Sequence, residues 1–316
     1  MKLLFLLTFP EPIRNQYRDG VRAAFPDLEV EMADHHSRVA PHIEDAEILM
    51  TFGAQIADHV LEEGRSLKWI QALGTGVDGI TDRPALREGI LVTNLRGLHG
   101  ASVSESALTS MLALSRNLPR AIRSQATGRW DRFPVRLLKG STVGILGVGA
   151  IAEELAPRCR ALGMTVIGIT SAPREVAGFD RMVAREELLE VVPELDFLIL
   201  LTPFTDQTRA IVNSAVLSAM RPSAFLVNVA RGGIVDEDAL VDALRAGAIA
   251  GAALDVFAEE PLPSGHPFYG MENVIVTPHM AGFHAGYAAE AMPILVENIR
   301  HFRAGELNRM INVVRR

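Results

Sequence analysis

Three stretches in the second half of the chain carry side chains suited to proton and carboxylate chemistry. NVARGGIVDEDAL sets Arg231 directly after the apolar run AFLVNVA. GAALDVFAEEPLP sets Asp255 at the end of another run and Glu260 just before Pro261. NVIVTPHMAG sets His279 after a third. An arginine grips a carboxylate through two parallel hydrogen bonds. A histidine passes a proton to or from an oxygen near neutral pH, and a carboxylate beside it favours its charged form. A charged imidazole can then donate to a carbonyl oxygen as hydride reaches the carbon. Arg231, Glu260 and His279 together suit the reversible reduction of a 2-oxo acid beside a nicotinamide. Taken singly, each has a plainer reading. Arg231 in ARGG could cap a strand end, Glu259 and Glu260 could be solvated loop charges, and a single member of nine histidines is more often structural.

A nicotinamide needs a dinucleotide site, and TVGILGVGAIAEELA reads as strand, turn and helix. Gly147-Val148-Gly149-Ala150-Ile151-Ala152 fits G-x-G-x-x-A. The first glycine permits the tight turn, the second lets backbone approach a pyrophosphate, and the small third position lets helix pack on strand. The helix N-terminus, at Ala150 and Ile151, then offers N–H groups and the positive end of its dipole to the phosphates. About 20 residues further on, a site built for NAD would carry an acid that takes the ribose hydroxyls. VIGITSAPR instead supplies Thr170, Ser171 and Arg174. Hydroxyls and a guanidinium suit a 2′-phosphate, which a carboxylate would repel. The stretch therefore favours NADP, with NAD the alternative if Arg174 is a solvated loop residue.

The elements that would hold these residues are short runs rich in Val, Ile and Leu on both parities: KLLFLLTF, AEILMTF, LKWIQAL, ILVTN, STVGILGV, MTVIGIT, DFLILLTP, AFLVNVA, GAALDV and NVIVTP. Strands buried on both faces of a parallel sheet read this way. Helical patterns lie between them, including AEELAPRCRALG, REELLEVVPEL and DEDALVDALRAG. Longer helices are expected from about 102 to 120 and from about 286 to 303. The alternation predicts an α/β, doubly wound architecture, in which ligands bind beyond the carboxyl ends of the strands. Because the glycine turn starts only near residue 144, the first ~95 residues form a separate unit to which the last helix could return.

Bulk properties narrow the partners. The chain has 316 residues, 48% hydrophobic and 22% charged, with a net charge of −7 and no long block of like charges. A nucleic-acid partner needs a concentrated positive face, so none is expected. The single cysteine, Cys159, sits in a helical pattern and reads as a buried structural thiol, in keeping with a cytoplasmic protein. The apolar run Leu3 to Thr8 is too short for a membrane helix. With charges following at once in EPIRNQYRDG, it reads as a buried strand and not as a leader. Asp34, His35 and His36 adjoin without further ligand spacing, so no metal is expected.

As a set, these motifs closely resemble the D-isomer-specific 2-hydroxyacid dehydrogenases, a family that includes glyoxylate/hydroxypyruvate reductases and phosphoglycerate dehydrogenases. GTGVDGI, LVTNLRG, SVSESALTSMLALSRNLP and GRW resemble its N-terminal half and hinge. LTPFTDQTRAIVN, LVNVARGGIVDEDAL, LDVFAEEPLP, TPHMAG and VENIRHFRAGE resemble its core and closing helix. The resemblance implies a Rossmann-type dinucleotide-binding domain over 96–286 and a discontinuous, flavodoxin-like substrate domain over 1–95 plus 287–316, with a cleft between them. It implies that Arg231 orients substrate, that His279 is the acid/base and that Glu260 pairs with it. Asp255 would face the nicotinamide carboxamide. Thr75 and Gly76 would offer N–H groups to the substrate carboxylate, and Val103, Pro203 and Thr208 would line the cofactor site. Reduction to a D-2-hydroxy acid and a homodimer formed through the cofactor domain are implied as well.

Several positions depart from the family pattern. Ala152 replaces the third glycine, and Ala150 a polar or basic residue. Ser104 and Ser106 stand where Ala and His are usual, and His284 where a small or hydroxyl residue is common. Glu260 argues against formate as substrate, since the formate dehydrogenases of the superfamily carry glutamine there. A dinucleotide-sensing corepressor on the same fold could keep all three reactive residues, and stands as the alternative function.

Overall fold

The computed structural model describes residues 1–315. In chain order the strands and α-helices are β1 (Lys2–Leu6), α1 (Glu11–Ala24), β2 (Glu29–Ala33), α2 (Ala40–Ile43), β3 (Ile48–Thr51), α3 (Asp58–Glu63), β4 (Trp69–Ala72), β5 (Leu91–Thr93), α4 (Gly100–Ser115), α5 (Leu118–Ala126), β6 (Thr142–Leu146), α6 (Ala150–Ala161), β7 (Thr165–Thr170), β8 (Arg181–Ala184), α7 (Leu188–Val191), β9 (Phe197–Leu200), α8 (Ser214–Ala219), β10 (Phe225–Asn228), α9 (Glu237–Ala246), β11 (Gly251–Leu254), β12 (Val274–Val276), α10 (Tyr287–Ala304) and β13 (Val313–Arg315). The chain divides into two compact units, residues 1–98 with the segment from 284 onward, and residues 99–283. The boundaries expected from sequence, after 95 and before 287, lie a few residues from these.

The first unit is built on a six-stranded sheet in the order β13-β5-β4-β3-β1-β2. Its first five strands are mutually parallel and β13 is antiparallel to β5. From β2 to β5 the order is the flavodoxin-like one. The helix α10 brings the end of the chain back to this sheet. Tyr287 donates its hydroxyl to the Leu73 carbonyl, and the buried Asn298 amide donates to Gln71 on β4 and accepts from the Ile311 N–H. Packing of α10 on α1 is close enough that a Cβ at Gly20 would overlap the end of Met292.

The second unit has a seven-stranded, all-parallel sheet, β12-β11-β10-β9-β6-β7-β8. Read from β8, this is the order of a doubly wound dinucleotide-binding sheet with one strand added at the far edge, and the order reverses between β6 and β9. Its central strands are buried from end to end except at Thr142, and α6 seats Ala152, Leu155, Ala156 and Cys159 against them. Burial pushes the Cys159 thiol up to about 12, so it stays protonated and serves as packing.

Two helical expectations change. The stretch 102–120 is two helices, because Asn117 adopts a left-handed backbone (φ 49°) and Pro119 is accommodated only in the first turn of α5. REELLEVVPEL is a single α turn flanked by 3-10 turns, since Pro193 cannot continue a helix. Three strands, β2, β8 and β13, lack a long apolar run. All three are sheet edges, where one side needs no buried partner.

Candidate active site

The reactive residues of the second unit all leave the sheet at its carboxyl edge, on the segments following β6, β7, β9, β10, β11 and β12. At the first, Gly147 has φ 101°, and a Cβ there would stand 2.4 Å from the Thr202 nitrogen as the chain leaves β9. Two neighbouring strand exits therefore require glycine. Gly149 differs: a Cβ built on it would meet no protein atom within 4 Å. No packing demands glycine there, while the open space lies against the N-terminus of α6, where a pyrophosphate would be held. The residues present thus fit a dinucleotide. We expect Gly147→Ala to lower the melting temperature sharply. Gly149→Ala should melt like the parent but bind NADPH at least about tenfold more weakly, roughly 1.4 kcal/mol. Equal cofactor affinity of Gly149→Ala and parent in a fluorescence titration would remove the pyrophosphate from this turn.

Thr170 ends β7, and Ser171 and Arg174 follow on an exposed segment. Arg174 is not a lone cation. It pairs with Glu153, in the first turn of α6, at 2.8 Å, and both side chains are about half exposed. An exposed pair of this kind contributes at most about 1 kcal/mol, so Arg174 can be redirected by a phosphate dianion. Ala150 is exposed, and Ile151 packs partly against the core below.

Two positions named for the cofactor site have internal duties. The Thr208 hydroxyl, buried, donates to the Pro203 carbonyl at 2.7 Å and accepts from the Thr205 N–H, so it shapes the loop that exposes Pro203. Val103 is 5% exposed within the core beneath α4.

The three reactive side chains come together. Arg231 follows β10 with its guanidinium on the Ala230 carbonyl at 2.7 Å, while Asn228 clamps the turn by donating to the Arg231 carbonyl. Gly232 must be glycine, because a Cβ would overlap the Phe257 backbone. This contact seats the arginine turn on the segment that leads to Glu260. Glu260 accepts the Phe257 N–H at 2.9 Å through Oε1 and faces His279 Nδ1 at 2.6 Å through Oε2. Burial works against its charge, but the bond to His279, the Phe257 N–H and the charge of Arg231 outweigh it. They hold the Glu260 carboxyl below the ordinary glutamate value. With Nδ1 turned to a carboxylate, His279 presents Nε2 outward, as a donor when charged and an acceptor when neutral. Its side chain is 47% exposed, so a reactant can reach it.

Asp255 is built into the loop that carries His279. It is 3% exposed, and its carboxylate takes the Thr277 hydroxyl and the N–H groups of Met280 and Ala281, while its carbonyl takes the His279 N–H. Both oxygens are committed to the loop that carries His279, which itself has a left-handed backbone (φ 49°). That conformation costs an L-residue on the order of 1 kcal/mol, and the Asp255 bonds hold it. Thr277 was not singled out from sequence. Its place two residues before His279, opposite a buried aspartate, is the signal that could have marked it.

In the first unit Thr75 and Gly76 occupy the turn after β4. The Thr75 carbonyl accepts from the Asn94 amide at 2.7 Å, and Leu95 N–H donates to Gly74, which ties this turn to the exit of β5. His284 lies ahead of α10, edge-on to Tyr287 and 3.7 Å from Glu290. Among the described residues no group of three His, Cys, Asp or Glu side chains is placed to hold a metal ion, and no helix is long and apolar enough to cross a membrane.

Residues 108–281 match the family model for the D-isomer specific 2-hydroxyacid dehydrogenase, NAD binding domain. A D-3-phosphoglycerate dehydrogenase of Methanocaldococcus jannaschii is 37% identical over 92% of this chain, which spans only 56% of that enzyme. A glyoxylate reductase of Pyrococcus furiosus is 32% identical, with 92% of this chain and 90% of that one covered. A D-isomer specific 2-hydroxyacid dehydrogenase from Xanthobacter autotrophicus, solved in complex with NADPH and MES, superposes with a TM-score of 0.82 at 31% identity, over 99% of this chain and 97% of that one.

Proposed function

The chain belongs to the D-isomer specific 2-hydroxyacid dehydrogenase family, and from that premise we propose that it reduces a small 2-oxo acid, such as glyoxylate or hydroxypyruvate, to the D-2-hydroxy acid with NADPH. The observation that carries this reading is the 2.6 Å contact between His279 and Glu260 beside Arg231, at the carboxyl edge of a dinucleotide-binding sheet. When bound, the nicotinamide supplies the hydride that reaches C2 of the acid. Arg231 holds the substrate carboxylate and the 2-oxo oxygen. His279 Nε2 gives its proton to the C2 oxygen, while Glu260 keeps the resulting neutral ring oriented through Nδ1.

The NADP preference rests on Thr170, Ser171 and Arg174 in place of an acid after β7, and the NADPH complex of the Xanthobacter relative supports it. The test is a panel of 2-oxo acids, each measured with NADPH and NADH. A kcat/KM at least about tenfold higher with NADPH is expected for glyoxylate or hydroxypyruvate. A higher value with NADH overturns the cofactor assignment alone, and no turnover with any acid overturns the activity. A homodimer is also proposed. Ile122, Trp130 and Leu137 in the second unit are 62%, 92% and 64% exposed, an apolar surface that a second copy would cover. Sedimentation showing only a monomer would contradict it.

A further inference from the structure

The loop that carries His279 is fastened on two sides. Its N–H groups are held by Asp255. Its carbonyls are held by α4: Ser106 donates its hydroxyl to the Ala281 carbonyl at 3.1 Å, and the Ser102 hydroxyl is shared between the Gly282 carbonyl at 3.4 Å and the His99 carbonyl of its own helix at 3.5 Å. The His99 ring, at the start of α4, packs so closely on Gly282 that a Cβ there would stand 2.6 Å from the imidazole. Ser102 and Ser106 are one helical turn apart and present their hydroxyls to consecutive carbonyls of one strained loop. The neighbouring Ser104 does something else: it donates to the carbonyls of Gly100 and Ala101 and accepts from Arg158.

We propose that Ser102 and Ser106 are positioning residues for His279, clamping residues 279–282 from α4 so that the imidazole stays on Glu260. The inference deepens the reductase reading and rests on it for its kinetic consequence. The physical argument is leverage. His279 has a backbone that an L-residue adopts only under constraint. Asp255 alone fixes the amide side of the loop. Release of the carbonyl side lets the peptide planes of 281 and 282 rotate, and the imidazole two residues earlier moves with them. A displacement of about 1 Å in a reacting group can cost on the order of a hundredfold in rate. Glu260 faces the His279 ring and itself feels the charge of Arg231, and Asp255 faces the loop. None of them is altered by changing the serines.

The test uses the full chain with Ser102→Ala, Ser106→Ala, the double variant and Ser106→Thr, which keeps a hydroxyl. Two readouts are taken: steady-state kinetics at saturating NADPH, and amide hydrogen exchange of the peptide spanning 277–283, which needs no turnover. The double variant should lose about ten- to a hundredfold in kcat while KM for NADPH stays within about twofold. The loop amides should exchange faster, and Ser106→Thr should recover most of both. Unchanged exchange in the double variant overturns the clamp whatever the activity. Faster exchange with parental kcat overturns the link to His279. If the double variant does not fold, the single variants decide on the same two readouts, and Ser106→Thr falling as far as Ser106→Ala counts against the proposal. Parent protein that turns over no 2-oxo acid defeats the reductase reading and leaves the exchange result to judge the clamp.

Discussion

His279→Ala is expected to lower kcat about a thousandfold with NADPH affinity unchanged, because it removes the group proposed to deliver the proton and nothing that touches the dinucleotide turn. General acid–base catalysis by a positioned side chain contributes about 10²- to 10⁴-fold. The upper part of that range is expected because His279 is oriented by Glu260 at 2.6 Å on a loop held by Asp255. KM for the 2-oxo acid should move little, since the proton transfer belongs to the transition state. Single-turnover rates with bound NADPH would separate this from slow product release. The pH behaviour follows from the partner. The Glu260 carboxyl is held below its ordinary value of 4.5. Its pairing with His279 therefore contributes fully to stability above that ordinary value and is lost as pH falls through the lowered one. Acid inactivation of the pair belongs below the usual carboxylate range.

Arg231→Ala should reduce kcat/KM by about 10²- to 10³-fold, with a rise in KM as well as a fall in kcat. A guanidinium that binds a carboxylate in the ground state and a developing alkoxide in the transition state affects both constants. Arg231→Lys should recover only a small part, because an ammonium cannot make two parallel, coplanar bonds. A second consequence is internal. The charge of Arg231 is one of the influences that keep Glu260 ionised, so its loss also raises the Glu260 carboxyl and moves the acid limb of the activity profile upward. A lysine variant with parental kcat/KM would rule out bidentate binding.

The central strands and the glycine turn were legible because burial on both faces forces Val, Ile and Leu onto both parities, and because a turn touching the backbone just past β9 at Gly147 leaves room for one residue type. Three of the four edge strands were not legible: β8, RMVA, satisfies only one neighbour and needs no long apolar run. The partition of the reactive constellation was half visible. The sequence marks Arg231, Glu260 and His279 by type, but it contains no sign that Asp255 spends both oxygens on residues 277–281, or that Ser102 and Ser106 reach a loop more than a hundred residues away. Those are facts of packing between α4, β11 and the His279 loop. Arg174 shows the same limit in reverse. Its type suits a phosphate, yet only the fold puts Glu153 beside it.

The most direct test of the account follows the hydride itself. NADPH deuterated at the transferable C4 position is incubated with hydroxypyruvate and the full-length protein, and the product is examined by NMR and chiral chromatography. The account predicts glycerate of the D configuration with deuterium at C2, formed by the parent and not, at comparable rate, by His279→Ala. Glycerate of the opposite configuration, deuterium elsewhere, or no product while NADPH remains bound would contradict it.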